Sequence, residues 1–422
     1  MSNIAARYSN SLAGVVPMET TLHIRSGSGS YLETESGERY LDLATGIAVN
    51  ALGYRHPEVM AALAEQAQRH LHLYGGTGYQ DVVIDFAEAI LATVGPQYQL
   101  FFGNSGTEAV EAAIKLSRLA TGRPGIIAFR GAFHGRTLGA LSLTASAARY
   151  RSAYEPLLPS VYHVDYPAPT RLGLTPNQAL QETQRQLQTV FDNEIGPERV
   201  AAIVVEPIQG EGGYIIPPPG FLEWLADVAA RNGIILAVDE VQSGIGRTGR
   251  MFAYQHTAIR PDLIIMGKAL GGGLPISALA GRRDLMQAWT AGTHGTTFGG
   301  NPLACATGLA TLRTIEKENL TAHASALGNV ALDILGALAE LPQVCDVRGQ
   351  GLMVAVEFSG ENGPGLVRQL IAKALEEHII LHAAGLRHEV IRLMPPLNID
   401  RTLFTDALHT IARLIAELSS NR

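Results

Sequence analysis

Residues 234–241 read IILAVDEV. An unbroken apolar run stops there on two carboxylates, Asp239 and Glu240. A strand with one wet face alternates apolar and polar residues, whereas a continuous run belongs to a strand covered on both faces. The same texture recurs in VAAIVVEP (200–207), GIIAF (125–129), VYHV (161–164), DLIIMG (262–267) and ISALAG (276–281). Helical periods lie between the runs: TEAVEAAIKLSRLA (107–120), with Glu108 in its first turn, and GFLEWLADVAARNG (220–233). PEVMAALAEQAQRHLHL (57–73) is also helical in period. This alternation predicts an α/β fold, a mainly parallel sheet flanked by helices.

After about residue 316 the texture changes. HASALGNVALDILGALAEL (323–341) and FTDALHTIARLIAELSS (404–420) read as helices, and GLMVAVEF (351–358), HIILHA (378–383) and EVIRLMPP (389–396) as short strands. YLETESGERYLDLATG (31–46) reads as a hairpin joining this second region. The expected organisation is an N-terminal segment, 1–56, joining the small domain, a large domain, 57–316, and a smaller α+β domain, 317–422.

Composition narrows the function. Hydrophobic residues make up 46% and charged residues 17%, a globular balance. The net charge of −7, with no basic block, argues against nucleic acid as a partner. The two cysteines, Cys305 and Cys345, lack CxxC spacing, and the histidines show no metal-binding pattern, so no metal site is expected. The apolar runs named above are far shorter than the roughly 20 residues that cross a bilayer. The N-terminus lacks the apolar core of a signal peptide. The expectation is a cytoplasmic protein with no membrane partner.

Ligands of such sheets collect beyond the carboxyl ends of the strands, and the distinctive motifs sit there. SGIGRTG (243–249) contains GxGxxG but is followed by a poor helix start, so it reads as a glycine-rich surface loop. GNSGTE delivers Ser105, Gly106 and Thr107 to a helix N-terminus, which suits a phosphate or an ordinary capping turn. Asp239 or Glu240, on opposite faces of one strand, can pair with an arginine or hold a protonated ring nitrogen. PDLIIMGKALGGGLP (261–275) ends a buried strand on Lys268 beside three glycines. A phosphate cradle, an acid and a lysine at strand ends form the set that pyridoxal 5′-phosphate (PLP) requires. The lysine makes a Schiff base with its aldehyde and the acid faces its pyridinium nitrogen.

GNSGTEAVEAAIKLSR, AFHGRT, VVEPIQGEGG, VDEVQSGIGRTG, PDLIIMGKALGGG and TTFGGNPLACA together resemble the class III (ω-type) aminotransferases of PLP fold type I, most closely the 4-aminobutyrate type. The resemblance covers nearly the whole chain. It implies a mixed seven-stranded sheet in the large domain and a homodimer with shared active sites. It makes Lys268 the Schiff-base lysine and proton carrier, and Asp239 the pyridinium partner. Gln242 would contact the ring's 3-oxygen and Phe133 would stack on the ring. Ser105, Gly106 and Thr107 would cradle the phosphate, with Thr297 supplied by the other subunit. His134 and Glu206 join the cofactor-binding set.

For substrates, the resemblance matches Arg392 to the α-carboxylate of 2-oxoglutarate. Glu211 matches a gate that covers Arg392 when the donor lacks that group. Arg136 matches the distal-carboxylate arginine, and Ile47 a pocket wall. The bland reading of both arginines is structural ion pairing. The long stretch 166–200 resembles the 4-aminobutyrate type, while GNSGT and Phe133 resemble the acetylornithine type. The expected reaction is ping-pong transamination from an ω-amino acid, foremost 4-aminobutyrate, to 2-oxoglutarate, giving the semialdehyde and glutamate. An acetylornithine or ornithine aminotransferase, or an amino-acid racemase on this scaffold, is the alternative.

Overall fold

The computed structural model describes residues 4–420. Its central sheet has seven strands: β1 (Tyr98–Gly103), β2 (Gly125–Arg130), β3 (Val161–Asp165), β4 (Val200–Val205), β5 (Ile235–Asp239), β6 (Leu263–Met266) and β7 (Ser277–Arg282). Their spatial order is β1-β7-β6-β5-β4-β2-β3. Every residue of β4, β5 and β6 is buried, as the uninterrupted apolar runs require. Strands β6, β5, β4, β2 and β3 pair in parallel, while β7 runs antiparallel to both β6 and β1.

The reversal of β7 follows from its connection. Only residues 267–276 separate it from β6, and a parallel crossover needs a dozen residues or more. Gly272 and Gly273 turn the chain there, with φ of 60° and 107°. A Cβ on Gly272 would lie 3.0 Å from the Thr307 carbonyl oxygen, so glycine lets this turn pack on helix Pro302–Lys317.

Two smaller sheets flank the central one. The first joins Ile24–Ser28, Tyr31–Thr34 and Arg39–Asp42 with Ile379–Ile380, the last pair parallel. The second is antiparallel, in the order Val344–Gln350, Met353–Phe358, Val390–Leu393, His382–Ala384. The run HIILHA is therefore two strands in two sheets rather than one, divided at buried Leu381. Helix Leu320–Gly336 continues through a 3-10 turn to Glu340, and its length and apolar content match those of a bilayer span. Leu320, Ala324, Leu327, Gly328, Ala331 and Leu335 on it are buried, with Leu320, Leu327 and Leu335 in the main apolar core.

SGIGRTG is not a surface loop. Residues 243–248 are buried between the central sheet and the C-terminal region. Arg247 donates from Nη1 to the carbonyls of Pro395 (2.6 Å) and Leu352 (3.2 Å). Gly246, at φ 86°, lies where a Cβ would be 3.0 Å from Leu397. The glycines here serve close packing between layers rather than exposure.

Candidate active site

The carboxyl ends of β1, β4, β5 and β6 lie along one edge, and the loops leaving them touch. β1 runs through Ser105 into helix Gly106–Thr121. A Cβ on Gly106 would lie 3.0 Å from Val241, two residues beyond Asp239. A Cβ on Gly267 would lie 3.4 Å from Gly106 Cα. The helix start, the loop after Asp239 and the residue before Lys268 therefore meet at one point. The first amides of a helix have no acceptor within it and carry its positive dipole end.

The two carboxylates of IILAVDEV separate as the strand pleat demands. Glu240 turns away from the site, accepting from Ser243 Oγ (2.6 Å), Tyr254 N (2.8 Å) and Ala253 N (3.0 Å). Burial pushes its pKa up to about 7. Asp239 is buried, accepting from Val241 N at 3.0 Å and meeting His134 Nδ1 at 2.7 Å. Burial alone would lower the pKa of His134, but Asp239 and Glu206 reverse this and raise it. Glu206, just after β4, is itself pushed up to about 7 by burial. It ties the site together by accepting from Phe133 N (2.9 Å) and Gly210 N (2.8 Å).

Lys268 has a φ of 47°, a left-handed conformation that is costly for a side chain with a Cβ. Among the described residues its side chain makes no hydrogen bond or ion pair. Its amine keeps a partly open face, yet the protein packed around it pushes its pKa down to about 8. Glu211, Glu206 and Asp239 oppose that fall, and Arg392 assists it.

Arg392, in the strand Val390–Leu393, is fully buried. Its Nη1 donates to Glu211 Oε1 at 2.7 Å and its Nη2 to Oε2 at 3.3 Å. Burial would raise the Glu211 pKa, but Arg392 and Lys268 overcome this and hold the carboxylate at about 2. Gln242 lies beside the pair, its Oε1 3.4 Å from Arg392 Nη1.

Glu211 opens onto a cavity of about 470 Å³ whose wall includes Ile47 and Arg136. Ile47 has a φ of 62°, unusual for a β-branched residue, in a turn held by Thr45 Oγ1 donating to Met394 O at 2.8 Å. Arg136 is exposed and stacks over Tyr150, 4.7 Å from the ring centroid. Phe133 packs edge-on against Tyr150. Thr297 lies exposed in the segment before helix Pro302–Lys317 and makes no hydrogen bond to these residues within its own chain. Sequence reasoning missed Tyr150, Arg149 and residues 16–20, Leu22 and Ile24 of the cavity wall. The basic-aromatic cluster ARYR (148–151) is the one local signal that could have pointed to Tyr150.

The family model for class III aminotransferases matches residues 14–415. A 4-aminobutyrate aminotransferase of Mycobacterium tuberculosis (strain ATCC 25618 / H37Rv) is 38% identical over 409 residues, covering 94% of this chain and 91% of that one. An acetylornithine aminotransferase of Methanopyrus kandleri is 39% identical over 388 residues, covering 92% of each. A solved ornithine aminotransferase of Toxoplasma gondii, with PLP at partial occupancy in its active site, superposes with a TM-score of 0.86. It is 30% identical and covers 98% of this chain and 94% of that one.

Proposed function

The chain belongs to the class III aminotransferases, and from that premise we propose that it uses PLP to move an amino group from an ω-amino acid, foremost 4-aminobutyrate, to 2-oxoglutarate. The observation that carries this reading is the Glu211–Arg392 pair, 2.7 Å apart, with Arg392 buried and Glu211 facing the cavity. An arginine suited to an α-carboxylate is costly to leave unpaired when the substrate lacks one. Glu211 supplies the missing charge for such a donor and yields to the carboxylate of 2-oxoglutarate or glutamate.

The residues fit the cofactor. The helix start at Ser105, Gly106 and Thr107 suits its phosphate, Asp239 its ring nitrogen and the unpartnered Lys268 its aldehyde. When bound, PLP supplies that aldehyde and an electron sink for the carbon that loses a proton. Lys268 takes the proton from the substrate carbon bearing the amine and would deliver it to the cofactor's aldehyde carbon, which its lowered pKa allows near neutrality. Asp239, braced by His134, keeps a negative charge facing the ring nitrogen, and Gln242 and Phe133 orient the ring. Thr297 serves the site of a partner protomer in a homodimer.

A free amine is the nucleophile, so uptake of PLP by cofactor-free protein should accelerate as pH rises, with a midpoint near 8. Stopped-flow absorbance across pH 6–10 measures this, and a midpoint above 10 counts against a desolvated Lys268 amine. Glu211→Ser should slow reduction of the cofactor by 4-aminobutyrate roughly 10–100-fold and that by glutamate much less. Equal losses would sink the gate. A second reading, with acetylornithine as donor, draws support from the similar identity of the acetylornithine aminotransferase relative. Single-turnover assays with 4-aminobutyrate, 5-aminovalerate, acetylornithine and ornithine separate the two.

A further inference from the structure

The cavity wall contains two acids, and both are already paired. Glu211 holds Arg392 at 2.7 Å, and Glu19 holds His382 at 2.5 Å. It also contains two arginines, Arg136 and Arg149, that have no carboxylate partner among the described residues. Both stack on one ring: Arg136 Cζ lies 4.7 Å and Arg149 Cζ 4.9 Å from the Tyr150 centroid. Arg149 is fixed further by Nη2, which lies 3.2 Å from Tyr150 Oη and 2.8 Å from His388 Nε2. Burial, and then Arg149 itself, lower the pKa of His388, so its imidazole is neutral and its bare nitrogen accepts from the guanidinium. Two like charges held on one aromatic ring repel, and neither guanidinium has a carboxylate partner among the described residues. Arginine pairs and aromatic faces of this kind suit the planar, two-oxygen geometry of a carboxylate.

We propose that Arg149 is a second anion-reading residue of the cavity, and that Arg136, Tyr150 and Arg149 act together to select donors with a distal carboxylate. This rests on the transamination reading above and names the group that would choose its substrates. Arg136 alone would make the site indifferent to Arg149. The shared ring, and the lack of a carboxylate partner for either arginine among the described residues, make the two guanidiniums one recognition unit.

The test uses holoenzyme carrying Arg149→Gln, with two readouts. The first is the affinity for glutarate, an unreactive dicarboxylate, measured by calorimetry. The second is the ratio of kcat/KM for 4-aminobutyrate to that for butylamine, which has the same chain and no carboxylate. Loss of one charge-assisted contact should lower both by roughly tenfold, with the 4-aminobutyrate effect mainly in KM. A change under threefold in both readouts overturns the proposal. So does an equal fall in kcat/KM for both donors, the sign of a structural role. Should the glutamine variant not fold, Arg149→Lys takes its place: loss of the fork should still weaken glutarate threefold or more, and no change overturns the proposal. If no amine discharges the cofactor's colour, the transamination reading fails, while the glutarate titration still decides Arg149.

Discussion

Lys268→Ala is expected to lower turnover by about 10⁴-fold or more, because one side chain both captures the cofactor and moves the proton. The protein should remain folded. Alanine has the same Cβ as lysine at a φ of 47°, so it adds no backbone strain, and removing the partly enclosed amine removes its desolvation penalty. The variant should still bind PLP, held by the helix start and Asp239, but without covalent attachment. Borohydride should fix the cofactor to the peptide containing Lys268 in the parent and to nothing in the variant. Residual turnover within tenfold of the parent would show that another group performs the proton transfer.

Asp239→Asn should cost about 10²–10⁴-fold in kcat, the range associated with losing a tuned charge beside the reacting group. The change is nearly isosteric. The amide oxygen can still accept from Val241 N, now 3.0 Å from Asp239 Oδ1, so the loop that touches Gly106 should stay in place. The charge is what disappears. His134 has its pKa raised against burial by Asp239 first and Glu206 second, so the asparagine variant should hold it neutral. Asp239→Ala should do more damage to the fold, leaving a buried imidazole without its partner at a cost of about 1–3 kcal/mol. Comparing kcat and melting temperature for the two variants separates charge from packing. An asparagine variant within tenfold of the parent would argue that Asp239 is a structural acid.

The fold was legible where one physical rule decides it. Fully buried strands must be continuous apolar runs, and β4, β5 and β6 were read that way. The fate of HIILHA was not legible, because hydrophobicity says a segment is buried but not against which sheet. The buried SGIGRTG loop misled for a related reason, since glycine marks both an exposed turn and a close approach. Asp239 and Lys268 could be picked out because their charges conflict with the apolar strands they end, whereas Glu211 was marked only by the family resemblance of QGEGG. Glu19 and His382 meet across 363 positions and carry no motif, so only the folded chain shows them at one cavity. Arg149 and Tyr150 were hidden because their significance lies in what they meet in the folded chain: Arg136 and Arg149 share the Tyr150 ring, and neither has a carboxylate partner among the described residues.

The parallel pairing of Ile379–Ile380 with Leu41–Asp42 has a consequence for how the protein is made. Residue 379 leaves the ribosome 337 positions after residue 42. At typical synthesis rates of 5–20 residues per second, that is a delay of roughly 20–70 seconds. Through that interval the nascent hairpin presents an open edge that only the last part of the chain will cover, and an open edge is a template for pairing with the wrong chain. The first sheet begun is among the last completed, so the newborn protein carries an open strand edge near its N-terminus, in the sheet whose Ile24, Leu32 and Ile380 line the cavity.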